Sequence, residues 1–351
     1  MTRRKDNFNR PTQIDVARRA GVSRSTVSYV LNDETKLKIQ ISDETRQRVR
    51  DAIAELGYEP DARAQSLRSG STNIVGVIIP AIQNPFFWQM LSGISDGLQE
   101  AGYSLHLTHH PLDLQQEAST IRALTRQPVD GFILLAAAKY LLPRLTDYLR
   151  KSGRPLVEIT SAKAEFDHVV HAYNSGTRAL MAHLLELGHR RIGFVYGIAR
   201  EVQGFDRLLT YREALENSGL AVDKSLEAHF GETLEEAYRA AYAMLDRPDR
   251  PTALLVINDM LAVAVIRAAA DLGFSIPGDL SVASFDDIPS ASYTVPRLTT
   301  VSGKAEESGR DAVRLLLNRF TEPDLPQQVT TAKVELIIRE STGPACPPEE
   351  R

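Results

Sequence analysis

The amino-acid sequence predicts a small all-α head followed by an α/β core made of two lobes, each a doubly wound parallel sheet. Short helical segments rich in Ala, Arg and Ser precede residue 70, and apolar runs that alternate with amphipathic helices follow it. Such alternation is typical of parallel sheets covered by helices on both faces, and there are too many strands for one small sheet. The length of 351 residues also agrees with two or three domains of about 100–200 residues each.

The composition excludes several classes of protein. The chain is 43% apolar and 25% charged, close to the globular average, so disorder and collagen-like structure are excluded. No apolar run approaches the ~18 residues of a membrane span, and the charged segment Met1–Arg10 lacks the apolar stretch of a secretory signal. The single cysteine, Cys346, excludes an internal disulfide and a thiolate zinc site. We therefore expect a cytoplasmic protein without a membrane segment.

Charge is distributed unevenly along the chain. Residues 1–70 hold 14 Lys and Arg against 10 Asp and Glu, a net charge of +4, whereas the remainder carries a net charge of −8. A basic head on an acidic body indicates that only the head meets a polyanion.

Three short helices are predicted in the head, each with its own start signal. The first begins at the capping box Thr12–Asp15 and buries Ile14, the second follows the turn residue Gly21 and begins at Ser23, and the third spans residues 42–56. Two helices around a glycine turn, braced by a third, form a helix-turn-helix whose second helix can enter the major groove of DNA. A three-helix bundle without a ligand is the alternative, and the polar residues and positive charge favour DNA binding.

The core strands are predicted from apolar runs bounded by turn residues. They are Ile74–Pro80, Ser104–Thr108, Asp130–Leu135, Pro155–Ile159, Arg191–Tyr196, Thr252–Ile257 and Leu280–Phe285. A helix follows the first strand from about Phe86 to Glu100. Segments 296–301 and 321–326 are interpreted as returns of the chain between the lobes.

These segments give the predicted domain boundaries. They are a head at 1–60, a hinge or linker at 61–70, a first lobe at 71–173 and 297–327, a second lobe at 174–296 and 328–343, and a tail at 344–351.

The segment Ile14–Asn32 closely resembles the head of the lactose-repressor (LacI) family of bacterial transcription regulators. Segments that agree with the same family follow it in order along nearly the whole chain. They are Ser42–Arg46, Ala54–Pro60, Asn84–Phe87, His183–Ile192, Asn258–Asp259, Ser284–Pro289, Leu298–Val301 and Arg339–Thr342. The resemblance implies a homodimer, a near-palindromic operator, and a core like a periplasmic sugar-binding protein that binds a small effector, most often a sugar, between its lobes. It implies no cofactor.

The resemblance also assigns the DNA contacts. Arg24, Ser25 and Tyr29 match positions that read the major groove, where an arginine can donate two hydrogen bonds to guanine; the family often has Arg in place of this tyrosine. The positions that match phosphate contacts, which fix register without reading bases, are Thr12, Ser23, Thr26, Asn32, Ser42 and Thr45. Helix capping is an alternative role for these hydroxyls, and both roles can coexist.

A hinge helix is implied within Asp61–Arg68. There Ala64 and Leu67 match minor-groove contacts, and the leucine would wedge between central base pairs. The family usually has Asn at the position of Asp61. The segment 33–40 is longer than the usual family loop and receives no role.

By the same resemblance, the effector site combines an acid, a cation, an amide and aromatic rings. Its residues are Phe86, Phe87, Arg207, Asn258 and Asp286. Polar groups of this kind around an apolar plate suit a sugar, and a purine or a phosphosugar stays open. Trp88 and Phe230 are weaker candidates, and Tyr173 stands where the family usually has Asp.

Two other function classes are weighed against the regulator. A solute-binding protein of the transport class would share the two-lobed core, but it needs an export signal and gives the head no purpose. An enzyme has no supporting constellation: Gly93–Gly97 fits the G-x-S-x-G nucleophile pattern, yet Ser95 falls inside a predicted helix, and no histidine has metal-ligand spacing. We therefore expect a non-enzymatic, nucleoid-associated regulator without a metal.

Overall fold

The computed structural model describes residues 11–32, 41–59, 70–81, 84–110, 116–135, 143–160, 164–196, 205–229 and 233–346. The chain divides into two compact units, Met1–Thr72 and Asn73–Arg351.

The first unit contains the three helices that the sequence predicts. They are α1 (Gln13–Ala20), α2 (Arg24–Asn32) and α3 (Asp43–Leu56). Gly21, at the turn between α1 and α2, has a φ of +65°, a conformation that glycine adopts without steric cost. Val16, Val27 and Val49 contribute one buried side chain from each helix to a shared core.

One prediction about this core is wrong. Ile14 is 54% exposed, whereas Val16, Ala17 and Ala20 are buried. Two residues in a helix lie on roughly opposite sides, so the side that buries Val16 turns Ile14 towards solvent.

The second unit alternates helices and strands. Its helices are α4 (Pro85–Glu100), α5 (Glu117–Arg126), α6 (Pro143–Lys151), α7 (Tyr173–Glu186), α8 (Phe205–Asn217), α9 (Leu234–Leu245), α10 (Asp259–Asp271) and α11 (Ala305–Thr321). Its strands are β1 (Ile74–Pro80), β2 (Ser104–His110), β3 (Gly131–Leu135), β4 (Leu156–Thr160), β5 (Asp167–His171), β6 (Ile192–Tyr196), β7 (Glu227–His229), β8 (Ala253–Val256), β9 (Ser281–Asp286), β10 (Thr299–Ser302), β11 (Val329–Ala332) and β12 (Glu335–Ile337).

The strands form two sheets of six, which confirms the predicted two-lobed α/β core. The first lobe holds the order β11-β5-β4-β3-β1-β2, in which all neighbours are parallel. The second lobe holds the order β12-β10-β9-β8-β6-β7, in which only β12 is antiparallel to its neighbour. The strands β1, β3 and β8 are buried at nearly every position, as sheets covered on both faces require.

The chain crosses between the lobes after β5, after β10 and after β11. The predicted lobe boundary before residue 297 falls ahead of β10, which pairs with β9 in the second sheet. The predicted boundary after residue 327 likewise falls ahead of β11, which pairs with β5 in the first sheet. Both segments lie beside turns, and sequence alone read them as connections because each strand has only four residues.

Close helix packing explains the G-x-S-x-G pattern. A side chain at Gly93 of α4 would collide with the backbone of Glu306, and one at Gly309 of α11 would collide with the backbone of Met90. Ser95 lies within α4, so it is not presented on the sharp strand-to-helix turn that a nucleophile of this pattern needs. Within the part of the chain that the structure describes, no helix is long and apolar enough to cross a membrane.

Candidate nucleic-acid interface and effector site

The candidate phosphate contacts of the head lie at the N-termini of its three helices. The Thr12 hydroxyl donates to the Asp15 carboxylate over 2.6 Å and accepts from the Asp15 amide, which completes the predicted capping box. Ser23 accepts from the Thr26 amide over 3.1 Å, and Ser42 accepts from the Thr45 amide over 3.3 Å. Helix N-termini attract anions through their free amides and dipole.

The candidate base-reading residues stand at the start of α2. Arg24 and Ser25 are exposed, and Tyr29 is half-buried. The Arg24 Nε donates to Gln13 Oε1 over 3.4 Å, so this guanidinium lies beside the start of α1. An exposed guanidinium at the start of the second helix is available to a guanine edge.

Several predicted contacts lie outside the described residues. They are Asp61, Ala64 and Leu67 of the implied hinge helix, the segment 33–40, the side chains of Asn32 and Phe230, and the end of the tail after Cys346.

The effector site is built around Asp286, the last residue of β9. This carboxyl-terminal edge is where open α/β sheets bind ligands. Asp286 is buried and has a φ of +105°, and Asp287 follows with a φ of +55°. Such backbone strain persists only where the surroundings impose it, and it is concentrated at functional sites.

The buried Asp259 holds this turn in place. Its carboxylate accepts from the Thr300 hydroxyl over 2.6 Å, from the Ile288 amide over 2.8 Å, and from the Ser284 hydroxyl. The three donors come from β10, the turn after β9, and β9 itself. Asp259 therefore fixes the backbone that carries Asp286.

Arg207 brings a buried cation to the same site. Its guanidinium carbon lies 4.0 Å from the ring centroid of Tyr173 and 4.8 Å from that of Phe285. Nη1 donates to the Ile257 carbonyl over 2.6 Å, and Nε has no hydrogen-bond partner among the described residues. The side chain is thus held by two rings and one carbonyl while one donor stays available.

The first lobe contributes Asn84 and Phe86. Asn84 Nδ2 donates to Asp286 Oδ2 over 2.9 Å, a buried hydrogen bond between the two lobes. Phe86 is buried and its ring centroid lies 5.8 Å from that of His171 and 5.9 Å from that of Phe87. Phe87 is half-buried against the core, so it lies one ring further from the carboxylate.

Burial and neighbouring charges shift the pKa values of the site. Burial raises the pKa of Asp286, while Arg207, Asn84 and Tyr173 act in the opposite direction. Burial, and then the negative charge of Asp286, raises the pKa of Asp259 to about 7. Burial, and then the positive charge of Arg207, lowers the pKa of His171 to about 4. Perturbed values that cluster in a cleft are typical of functional sites.

The remaining candidates take lesser positions. Asn258 is half-buried, and its side chain caps α10 by accepting from the Leu261 amide over 2.9 Å. Trp88 is 48% exposed and contacts His109 edge to face, which places it on the surface of the first lobe. No cluster of three His, Cys, Asp or Glu side chains that could hold a metal ion occurs within the described ranges.

Sequence reasoning missed two aromatic neighbours of the site. His171 stacks on Tyr173 with ring centroids 5.5 Å apart and hydrogen-bonds Ser308 over 3.0 Å. The buried Tyr173 lies close enough to Asp286 to lower its pKa, although its hydroxyl has no hydrogen-bond partner of normal geometry. His171 ends β5, a strand that the apolar pattern did not predict because Asp and His interrupt it.

Known sequence families match both units of the chain. The profile described as "Bacterial regulatory proteins, lacI family" matches residues 12–61. The profile described as "Periplasmic binding protein-like domain" matches residues 181–342.

Individual proteins match along almost the whole length. The ribose operon repressor of Escherichia coli (strain K12) is 33% identical over 319 residues, which are 90% of this chain and 95% of that protein. A structure of the transcriptional regulator CelR in complex with cellobiose is 30% identical, has a TM-score of 0.71, and is matched over 95% of this chain and 100% of that one. The lac repressor dimer bound to operator and the anti-inducer ONPF is 25% identical, with a TM-score of 0.84 over 95% of this chain and 99% of that one.

Proposed function

The chain belongs to the lacI family of bacterial regulatory proteins, and from that premise we propose that it represses transcription as a homodimer whose operator affinity is set by a sugar bound between its lobes. The family is one of DNA-binding transcriptional regulators rather than enzymes. A transport-class solute-binding protein would share the match to residues 181–342, and the match of residues 12–61 to the regulator profile favours the regulator. Its place of action would be the chromosome.

The DNA half of the proposal is supported by exposed polar groups at helix N-termini. Thr12, Ser23 and Ser42 cap the three helices and stay exposed, so each hydroxyl and the amides behind it can meet a phosphate. Arg24 and Ser25 would read base edges from the start of α2. A twofold dimer would present two such helices, which requires a near-palindromic operator.

The single observation that carries the sugar half is the constellation at Asp286. A buried carboxylate that accepts hydrogen bonds stands near a buried guanidinium with an available Nε donor, and Phe86 supplies an apolar ring nearby. Neighbouring hydroxyls of a sugar can donate to the carboxylate and accept from the guanidinium at the same time. The bound cellobiose in the related CelR structure supports the same class of effector.

The DNA half can be tested with fragments of chromosomal DNA selected by the purified dimer. We expect Arg24→Ala to weaken specific binding by about 10- to 200-fold and to relax the preference at one base pair in each half-site, because a bidentate contact to guanine is lost. Arg18→Ala is the matched control, since Arg18 is an exposed head arginine that the proposal does not place on a base. Equal affinity of the Arg24→Ala protein for every operator variant, at the level of the parent protein, would refute this role.

The sugar half can be tested by thermal shift against a panel of mono- and disaccharides, followed by calorimetry with the best sugar. We expect Asp286→Ala to abolish the shift, since the effector loses its acceptor and the guanidinium loses its counter-charge. Asp246→Ala, which removes an exposed carboxylate from the same lobe, should keep it. Intact sugar affinity in the Asp286→Ala protein would remove Asp286 from the site.

A further inference from the structure

We propose that Asn84 is the positioning residue that keeps the cleft closed, because it ties the first lobe to Asp286 of the second. The inference rests on the proposed function, since it names the device through which the sugar site and the lobe arrangement are joined. Asn84 Nδ2 donates to Asp286 Oδ2 over 2.9 Å across 202 residues of sequence. Each residue is 5% exposed, so water does not compete for this hydrogen bond.

The Asn84 end of the bond is held rigidly by the first lobe. Asn84 is the N-cap of α4, and its Oδ1 accepts from the Phe86 amide over 3.0 Å. Pro85 occupies the first turn of the same helix, where its fixed φ suits the helical backbone. With Oδ1 engaged in the cap, the amide nitrogen has a set direction, and that direction leads to the other lobe.

The Asp286 end is held with equal rigidity by the second lobe. Its backbone has a φ of +105°, and the next residue, Asp287, accepts from Arg339 Nη2 over 2.6 Å. The Ile288 amide is fixed in turn by Asp259 over 2.8 Å. Since neither end can follow the other, opening of the lobes must break the bond between Asn84 and Asp286.

The bond leaves room for an effector. A carboxylate has two oxygens and about four acceptor positions, and Asn84 occupies one of them. Asn84 and a sugar can therefore bind Asp286 together, and Asn84 raises the fraction of molecules already closed when the sugar arrives. An apparent dissociation constant is the intrinsic one divided by that fraction, so Asn84 also sets the sugar affinity.

A purely local role as a helix cap is the competing explanation, and substitutions can separate the two. Asn84→Ser keeps a good N-cap but is too short to reach Asp286. Asn84→Asp also keeps the cap and places a second carboxylate against Asp286. The double variant Asn84→Asp/Asp286→Asn restores a donor and an acceptor with their positions exchanged. Asn318→Ser is the control, since it removes an exposed hydrogen bond, to Gln328 over 3.0 Å, that stays within the first lobe.

The test measures the distance between the lobes in the full-length protein without sugar or DNA. Spin labels are placed at the exposed positions 99 and 216 through Gln99→Cys and Glu216→Cys, in a background of Cys346→Ser. Pulsed electron spin resonance then gives the distribution of open and closed molecules. Because neither an operator nor a sugar is present, failure of the proposed function cannot imitate failure of this inference.

We expect the labelled parent protein and the Asn318→Ser control to show mainly the short distance of the closed cleft. Asn84→Ser should raise the ratio of open to closed molecules by about tenfold or more, the loss expected for a hydrogen bond to a charged group. Asn84→Asp should open the cleft further, and the double exchange should close it again. The proposal is overturned if Asn84→Ser matches the Asn318→Ser control, or if the double exchange stays as open as Asn84→Asp alone.

Discussion

The polar groups of the head and those of the core differ in their exposure to water. In the head, Thr12, Ser23 and Arg24 are exposed and hydrogen-bond to neighbours on their own or an adjacent helix. In the core, Arg207 and Asp286 are buried, and no described ligand offsets their loss of water. The head thus meets its ligand with hydrated groups, whereas the core has already desolvated its groups on folding.

This difference teaches how each unit can gain affinity. An exposed, basic surface binds a polyanion largely through release of counterions, which makes affinity depend on salt. A buried constellation binds a small neutral ligand through hydrogen bonds at low local dielectric, which salt hardly screens. The same difference makes the core, rather than the head, sensitive to the ionisation of its own carboxyl groups.

Salt gives the largest expected contrast between the two units. Raising the salt concentration from 50 to 200 mM should weaken operator binding by about 10³-fold or more if six or more phosphates are neutralised. Over the same range, the affinity for a neutral sugar should change by less than about twofold, because its partners are buried. Fluorescence anisotropy with labelled operator and calorimetry with the sugar provide the two slopes. Parallel slopes for both ligands would break the comparison.

The pH dependence of stability gives the next largest effect, and it belongs to the core. The pKa of Asp259 is raised from 3.8 to about 7, so between these values the folded core holds a proton that the unfolded chain has released. The free energy of unfolding must therefore fall as the pH rises through that window. For a side chain that is 1% exposed, the expected fall is on the order of a few kcal/mol.

His171 acts in the opposite direction and has to be separated from Asp259. Its pKa is lowered from 6.5 to about 4, so between these values the unfolded chain binds the extra proton and stability rises with pH. Asp259→Asn keeps His171 but removes the titrating carboxyl, so chemical unfolding of the two proteins at several pH values isolates Asp259. The variant should lose less stability than the parent between about pH 4 and 7. An unchanged slope would contradict a raised pKa at this position.

The smallest effect comes from two capping boxes that are alike in form. Thr12 caps α1 with Asp15 in the head, and Thr233 caps α9 with Glu236 in the core. Substitution of either threonine by Ala should cost about 1 kcal/mol of stability in its own unit. If Thr12 also contacts phosphate, Thr12→Ala should in addition weaken operator binding several-fold, and Thr233→Ala should not. Equal operator affinity in the two variants would leave Thr12 as a cap alone.

Sequence reasoning was most successful where a local pattern decides the structure. The capping box at Thr12, the turn at Gly21 and the apolar run of β1 are each set by neighbouring residues, and all three are confirmed. It failed where distant contacts decide. The side of α1 that is buried depends on packing against α3, so Ile14 was misplaced. Short strands such as β10 exist because of partners elsewhere in the chain.

The effector site divides in the same way. Family resemblance selected Asp286 and Arg207, which the structure brings near the same rings. It selected Asn84 only as part of a motif, because nothing in the local sequence indicates that its amide reaches a carboxylate 202 residues away. His171 escaped notice since its strand has no clear apolar pattern. Contacts between lobes are set by tertiary structure, and a single sequence does not encode them locally.

Reciprocal linkage between the two ligands tests the central claim most directly. Operator affinity is measured with and without saturating sugar, and sugar affinity is measured with and without saturating operator, in one buffer. Thermodynamic linkage requires the two ratios to be equal, and the account predicts a common factor of about 5 to 150. A factor of one in both directions, with both ligands bound tightly, would contradict the claim that the core controls how firmly the head holds DNA.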